Sequence, residues 1–455
     1  MAWIIPVENS TTDVDLTTLD NLYVPEGVIL GAHAFGAGSN QRIVVDGQAA
    51  AGDYPVLGLG AAGTTNNLIQ IGQTGKVIGL GDVDGPRGAV IMTGLSGKVI
   101  NEGSITAVVD DGAGIVFAGM EEGSNFTAIN SGTIRASAIG ILSGLQHGAF
   151  LLNNSGTIIG GEGEVRDPTV PTGTFHMGSF TSTSILNMAT YLPDVQDTII
   201  NSGRMVGDIT LAGGDDYYEG RNGRVEGDVF GGNGADKLFA GAGDDRLFGE
   251  NGIDQLMGGA GADYLNGGAG TDTVLYATAA TGVTASLANA AINTGDAKGD
   301  VYVSIENLTG SGFNDVLVGN GANNIISGGN GNDRLTGLAG NDTLIGGAGN
   351  DFFVFSAPLN ATTNVDRIND FSSTSDTILL ENAYFTALNT LGALAPGALQ
   401  INATGLATEA DDRIIYKADS GALYYDADGV GGAAGILFAR IGNDLLLTGA
   451  DFVVI

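Results

Sequence analysis

The sequence predicts an all-β protein, a parallel β-helix continuing into a parallel β-roll and closed by a C-terminal β cap. Three observations carry this. The second half holds a nine-residue period rich in glycine and aspartate. The first half holds a looser repeat of about 24 to 29 residues, the length of a coil with three short strands. The last hundred residues lose both periods and alternate apolar with polar residues, the pattern of half-buried strands.

The nonapeptide pattern is G-G-x-G-x-D-x-U-x, where U is a large apolar residue. It runs from Gly231 to Leu275 as GGNGADKLF, AGAGDDRLF, GENGIDQLM, GGAGADYLN and GGAGTDTVL, after a forerunner, LAGGDDYYE, at Leu211. It resumes at Gly310 as GSGFNDVLV, GNGANNIIS, GGNGNDRLT, GLAGNDTLI and GGAGNDFFV. Six residues make a turn and three make a strand. Glycine permits the left-handed backbone of a tight turn, the eighth residue points into a thin core, and the sixth supplies a carboxylate. Calcium takes several carboxylate and carbonyl oxygens in flexible geometry.

Two nonapeptides make one coil, so turns two repeats apart stack on one side with room for an ion between them. In the first block one side carries Asp236, Asp254 and Asp272. The other carries Asp245 and Asp263, with Asp216 as an irregular addition. In the second block Asp315, Asp333 and Asp351 share a side, opposite Asn324 and Asp342. Asn324 offers only a neutral carbonyl, so its site is expected to be weak or missing.

These repeats resemble those of the RTX (repeats-in-toxin, hemolysin-type) calcium-binding proteins. The resemblance covers Leu211 to Ile455 and implies a calcium β-roll. It also implies export through a type I secretion system, with an uncleaved C-terminal signal and folding on contact with external calcium. It does not specify an activity, because unrelated functions share the repeat.

The segment Tyr276–Thr309 resembles the insert found between RTX blocks, and its alternating stretches read as strands that widen the roll. NVDRINDFSSTSDTILLEN resembles the cap of serralysin-type rolls, where Asp366, Asp370 and Asp376 form a candidate further ion site against the alternative of a solvated acidic loop. DDRIIYKADSGALYYDADGVGG reads as antiparallel strands with Asp426, Asp428 and Gly429 in a tight turn. The ending DFVVI resembles the end of type I secretion signals.

In the first half the shared form is Asn-x-Gly-x-Ile/Val. Gly75, Gly103, Gly132, Gly156 and Gly203 recur at the coil spacing with one double gap, and Asn101, Asn130, Asn154 and Asn201 are placed to stack as an amide ladder. These segments resemble autotransporter passenger domains, which implies a right-handed parallel β-helix; a β-sandwich is the main alternative. The expected organisation is a β-helix over 1–210, a roll over 211–355 in two blocks (211–275 and 310–355) with the insert at 276–309, and a cap with secretion signal over 356–455.

Composition excludes several classes. With 51 acidic and 17 basic residues the formal net charge is −34, so nucleic acid is excluded as a partner and divalent metal is the expected neutraliser. The chain has no cysteine, which removes disulfides, thiolate metal sites and cysteine nucleophiles. No N-terminal signal peptide and no membrane-spanning apolar run is read.

No zinc-protease motif or nucleophile elbow occurs. Before Leu211 the basic residues are Arg42, Lys76, Arg87, Lys98, Arg135, Arg166 and Arg204. His147 and His176 read as loop or packing residues, the pairs Asp110–Asp111 and Glu121–Glu122 as turn charges, and 172–184 as a long loop. The expectation is therefore a secreted, non-enzymatic surface-layer, matrix or adhesive element. Its expected partners are the type I secretion machinery and then itself, as lattice or filament, or a cell-surface polysaccharide. The alternative is an extracellular polysaccharide lyase, glycanase or epimerase with its site on the β-helix.

Overall fold

The computed structural model describes residues 3–16, 20–51, 56–79, 88–107, 113–118, 124–136, 139–143, 148–160, 183–187 and 196–455. Asp110, Asp111, Glu121, Glu122, His147, His176, Arg87, Arg166 and most of 172–184 lie outside the described residues. Among the described residues the elements are β-strands and three short 3₁₀ turns. No helix among them is long and apolar enough to cross a membrane. The chain divides into two compact units, residues 1–258 with 268–270, and residues 259–267 with 271–455.

In the first unit three parallel sheets run alongside one another. One starts at Trp3–Ile4 and includes Asn67–Ile71, Ser96–Asn101, Ser124–Asn130, Gly148–Asn154 and Gln196–Asn201. It continues without a break through Tyr217–Glu219 and Lys237–Phe239 to Gln255–Met257. Parallel pairing in exact coil register places like residues above like. Ile69, Val99, Ala128, Leu152, Ile199, Tyr218, Leu238 and Leu256 form one inward column, each at most 1% exposed. Burying each large member of the column contributes roughly 1.5–3 kcal/mol, which offsets the polar, solvated exterior.

The coil changes type within this unit. The second sheet runs from Ile29–Leu30 to Arg224–Glu226 and ends there. Beyond it each coil has two strands, and the step shortens from 20 residues (Tyr217 to Lys237) to 18 (Lys237 to Gln255). The helix thus becomes a roll by dropping one sheet while its first sheet remains hydrogen-bonded throughout.

Two polar columns fix the β-helix register. Asn101 Nδ2 donates to Asn130 Oδ1 at 2.7 Å, Asn130 to Asn154 at 2.7 Å and Asn154 to Asn201 at 2.8 Å. All four are at most 1% exposed, so each amide satisfies a neighbour that water cannot reach. Beside them the glycines stack. A Cβ on Gly132 would sit 2.2 Å from the carbonyl oxygen of Gly103, and one on Gly156 would sit 2.1 Å from that of Gly132. The apparent double gap between Gly156 and Gly203 is a correction. Thr157 pairs directly with Arg204, so the interval is one long coil, and spacing alone could not separate that from two coils.

In the second unit the roll continues through the insert. Residues 264–266 pair with Val301–Val303, and Thr273–Leu275 pairs with Asn307–Thr309, which pairs in turn with Ile325–Asn330. A second sheet runs Thr284–Ser286, Val316–Val318, Arg334–Thr336, Phe352–Phe355 and Thr377–Leu380. Leu317, Ile326, Leu335, Leu344 and Phe353, the eighth residues of their repeats, are fully buried.

The cap is the antiparallel set Ile414–Lys417, Ala422–Tyr425 and Ile436–Arg440. It closes over an aromatic cluster in which Phe438 contacts Phe355 and Phe385 at 5.1 and 5.2 Å between ring centroids. Asp426 Oδ1 accepts from the N–H groups of Asp428 and Gly429 in the turn that follows. The terminal strand Phe452–Val454 pairs parallel with Thr377–Leu380.

Candidate metal centre

The turn itself positions the sixth-residue carboxylate. At the first position a Cβ on Gly328 would lie 2.2 Å from Asp333 Oδ2, on Gly337 2.1 Å from Asp342 Oδ2, and on Gly231 2.4 Å from Asp236 Oδ2. At these three turns the carboxylate folds back into the space a side chain would fill. The fourth glycine answers a different constraint. Gly331 and Gly349 have φ of 132° and 155°, and a Cβ on Gly349 would meet the carbonyl oxygen of Gly331 at 1.6 Å.

Each carboxylate then reaches one coil back. Oδ1 of Asp236 accepts the backbone N–H of Asp216, and Oδ1 of Asp254 that of Asp236, both at 2.8 Å. In the second unit Asp333 Oδ1 accepts from Asp315 at 2.8 Å and Asp351 Oδ1 from Asp333 at 2.9 Å. On the opposite side Asp342 Oδ1 accepts from Asn324 at 2.7 Å and Asp366 Oδ1 from Asp342 at 3.1 Å. The other oxygen, Oδ2, of Asp216, Asp236, Asp333, Asp342 and Asp351 is buried with no hydrogen-bond partner.

These five residues are at most 2% exposed, and burial dominates their titration. Asp216 is pushed up to about 9 by burial and then by the charge of Asp197. Asp236 and Asp333 are pushed to about 7, burial again leading. Asp366 is raised by burial and by the adjacent carboxylate of Asp342. An unpaired buried charge is strongly unfavourable, and a hard cation among anionic oxygens removes that cost. The residues therefore fit calcium. Among the described residues no three Asp, Glu or His side chains cluster, so a complete shell here needs turn carbonyls as well.

Several sequence expectations shift. Asp216 stacks with Asp236, not with Asp245 and Asp263, because its strand joins the first sheet. Arg246 pairs with Asp228, which sets Asp245 above Gly227, where the preceding coil has no turn carboxylate. Asp366, Asp370 and Asp376 do not gather. Asp366 extends the Asp342 side, and Asp376 extends the Asp351 side at 3.1 Å. Asp370 caps the N–H groups of Gly346 and Gly347. The cause is the cap's path, which sends 366–368 and 377–380 to different sheets. Asp263 and Asp272 are bound through the insert, their N–H groups donating to Asp300 Oδ1 at 3.0 Å and Glu306 Oε2 at 2.8 Å.

Asp197, Asp300 and Glu306 were not singled out by sequence. A signal existed: all three begin the half-motif acid-x-apolar-x, as Asp197-Thr-Ile-Ile, Asp300-Val-Tyr-Val and Glu306-Asn-Leu-Thr. The strand half of the repeat persists where the glycine half is lost. At Asp300 the second oxygen accepts from the Tyr276 hydroxyl at 2.7 Å, a protein donor in place of an ion.

Neither of two grooves in the first unit is lined by an acid–base pair. One, of about 410 Å³, is lined mainly by Leu16, Phe35, Gly58, Leu59 and Ile91 with Asp15 as its one titratable residue. Another, of about 390 Å³, is lined by Trp3, Asn21, Asn40, Arg42 and Asn66. His33 stacks on Phe35 at 5.7 Å.

With the ladder described, its class is defined. The RTX calcium-binding nonapeptide repeat matches the chain in four copies, over residues 228–256, 248–276, 304–335 and 327–357. Residues 228–357 thus carry RTX calcium-binding repeats of the hemolysin type, and proteins with such repeats are typically secreted. No curated protein matches the chain.

Proposed function

We propose that the protein is a non-enzymatic extracellular structural or adhesive element, of surface-layer or matrix type, that folds and assembles when it meets external calcium. The observation carrying this reading is the column of buried carboxylates whose outer oxygens lack partners. Without cations the roll holds stacked like charges around a thin core, and with them neighbouring coils are joined by shared ligation. About six to ten ions between stacked turns is the expected load. Binding is cooperative, because ordering one coil builds half of the next site.

Export through a type I system, with the signal in the last fifty or so residues, fits the low calcium inside cells and the abundance outside. The grooves of the first unit favour a structural over a catalytic reading, since neither brings an acid and a base together. Flat parallel faces offer contacts to further copies or to a cell-surface polysaccharide.

Electron microscopy of the purified full chain with and without millimolar calcium tests this. Ordered sheets or filaments that appear only with calcium are expected. Monodisperse particles in calcium together with cleavage of a polysaccharide would establish the enzymatic reading instead.

A further inference from the structure

The sixth-position acids do not all sit in the same kind of turn. In one kind the second residue of the repeat has a left-handed backbone: Ala212 (φ 78°), Gly232 (115°), Glu250 (76°), Gly259 (100°), Gly268 (103°), Gly329 (106°), Leu338 (74°) and Gly347 (93°). These belong to the turns of Asp216, Asp236, Asp254, Asp263, Asp272, Asp333, Asp342 and Asp351. In the other kind the second residue, Gly241, Ser311 or Asn320, stays out of that region. Its N–H instead closes on the sixth residue of its own turn. Ser311 donates to Asp315 Oδ2 at 2.6 Å, Asn320 to Asn324 Oδ1 at 2.8 Å, and Gly241 to the Asp245 carboxylate.

The choice does not follow the residue's own preference. Ala212, Glu250 and Leu338 adopt a conformation that is unfavourable for a side-chain-bearing residue, whereas Gly241, which could adopt it freely, does not. Strain of this kind persists only where something requires it. What sets the three closed turns apart is the coil before; the Asp216 turn, open above Asp197, is the one exception. Asp245 lies above Gly227, Asp315 above Val283 and Asn324 above Glu306, none of them in a nonapeptide turn. Asp333, Asp342 and Asp351 each lie above such a turn. Space reports the same boundary at the fourth residue: a Cβ on Gly243 would meet nothing within 4 Å, whereas one on Gly331 or Gly349 would meet a carbonyl oxygen at 2.4 or 1.6 Å.

We propose that only the eight open turns bear calcium, and that the turns of Asp245, Asp315 and Asn324 are ion-free bases from which the stacks begin. This rests on the calcium reading above and deepens it. Rotation of the second peptide withdraws its N–H from the carboxylate, and at Asp216, Asp236, Asp333, Asp342 and Asp351 it leaves Oδ2 for the cation. In a base turn the N–H remains and holds the turn shut. Asn324 shows that a base turn needs no charge, since its amide takes the same bond and its Nδ2 also donates to the Glu306 carbonyl at 2.7 Å.

The test uses the full chain, loaded with calcium, desalted and assayed for bound metal by atomic emission. Wild type is expected to hold eight ions. Asp315→Asn, which copies the natural base turn of Asn324, is expected to keep eight and an unchanged calcium midpoint by circular dichroism. Asp351→Asn is expected to lose at least one. Loss of an ion in Asp315→Asn to the same extent as in Asp351→Asn would overturn the proposal, as would a wild-type count of eleven. A wild type that binds no calcium would instead overturn the calcium reading itself.

Discussion

The backbone N–H of Asp333 donates to Oδ1 of Asp351, eighteen residues further on, at 2.9 Å. One bond thereby sets the coil register and aims the second carboxylate oxygen away from the protein's own donors. Stability and metal binding in the roll are consequently written into the same side chains.

Gly328→Ala should abolish folding of the surrounding coils at any calcium level reached in solution. The new methyl would lie 2.2 Å from Asp333 Oδ2, so the carboxylate must leave its place. Gly321→Ala is the matched control, since its Cβ meets nothing within 4 Å and its backbone lies outside the left-handed region. It should change stability by less than about 0.5 kcal/mol. Calcium titrations followed by circular dichroism compare the two, and equal loss in both would contradict the steric account.

Leu338→Gly should stabilise the calcium-loaded roll by about 1 kcal/mol, because Leu338 holds φ of 74° and glycine carries no such penalty. Thermal melts in saturating calcium measure it. A destabilised variant would mean that the Leu338 side chain contributes more than its backbone costs.

Asn130→Ala should cost about 2 kcal/mol by removing the acceptor of the Asn101 amide and the donor to Asn154 Oδ1 in the core. The bound-calcium count should stay as in wild type, since the amide ladder is uncharged. Denaturant unfolding followed beside metal analysis separates the two effects, and a fall in the metal count would contradict this independence.

Metal-free protein should melt at a higher temperature near pH 5 than near pH 8. Asp216 is raised to about 9, and Asp236 and Asp333 to about 7, from 3.8. Between 3.8 and those values the folded chain holds protons that the unfolded chain releases. The stability these groups permit is therefore complete below about pH 4 and is lost as the pH rises through 7 toward 9. Calcium in excess reverses the trend, because protons then compete with the ion. Scanning calorimetry at several pH values is the measurement; melting temperatures that rise with pH in the metal-free protein would refute the assignment.

The roll was legible in the sequence because its chemistry is local: the glycines, the aspartate and the buried eighth residue all lie within nine positions of one another. The Asn101–Asn201 ladder was legible for a related reason, since one residue type recurs at coil spacing. What stayed hidden depends on the neighbouring coil. Asp216 changes sides because its strand joins the first sheet, a fact of topology. Asp300 and Glu306 lack the glycine half of the motif that draws attention to its acids. The closed turns of Asp245, Asp315 and Asn324 each lack a nonapeptide turn beneath them, and Gly241, identical in type to Gly232, carries no local trace of the difference.

Thr157 and Arg204 pair as neighbours although the chain between them is far longer than an ordinary coil. A solenoid that closes its ladder across so long an interval has a site where sequence can be inserted, exchanged or removed without altering the number of coils. Variants of this scaffold could then diversify at that one junction, in length and in cargo, while the coils on either side stay constant. The same junction is a natural place to graft a foreign domain for display.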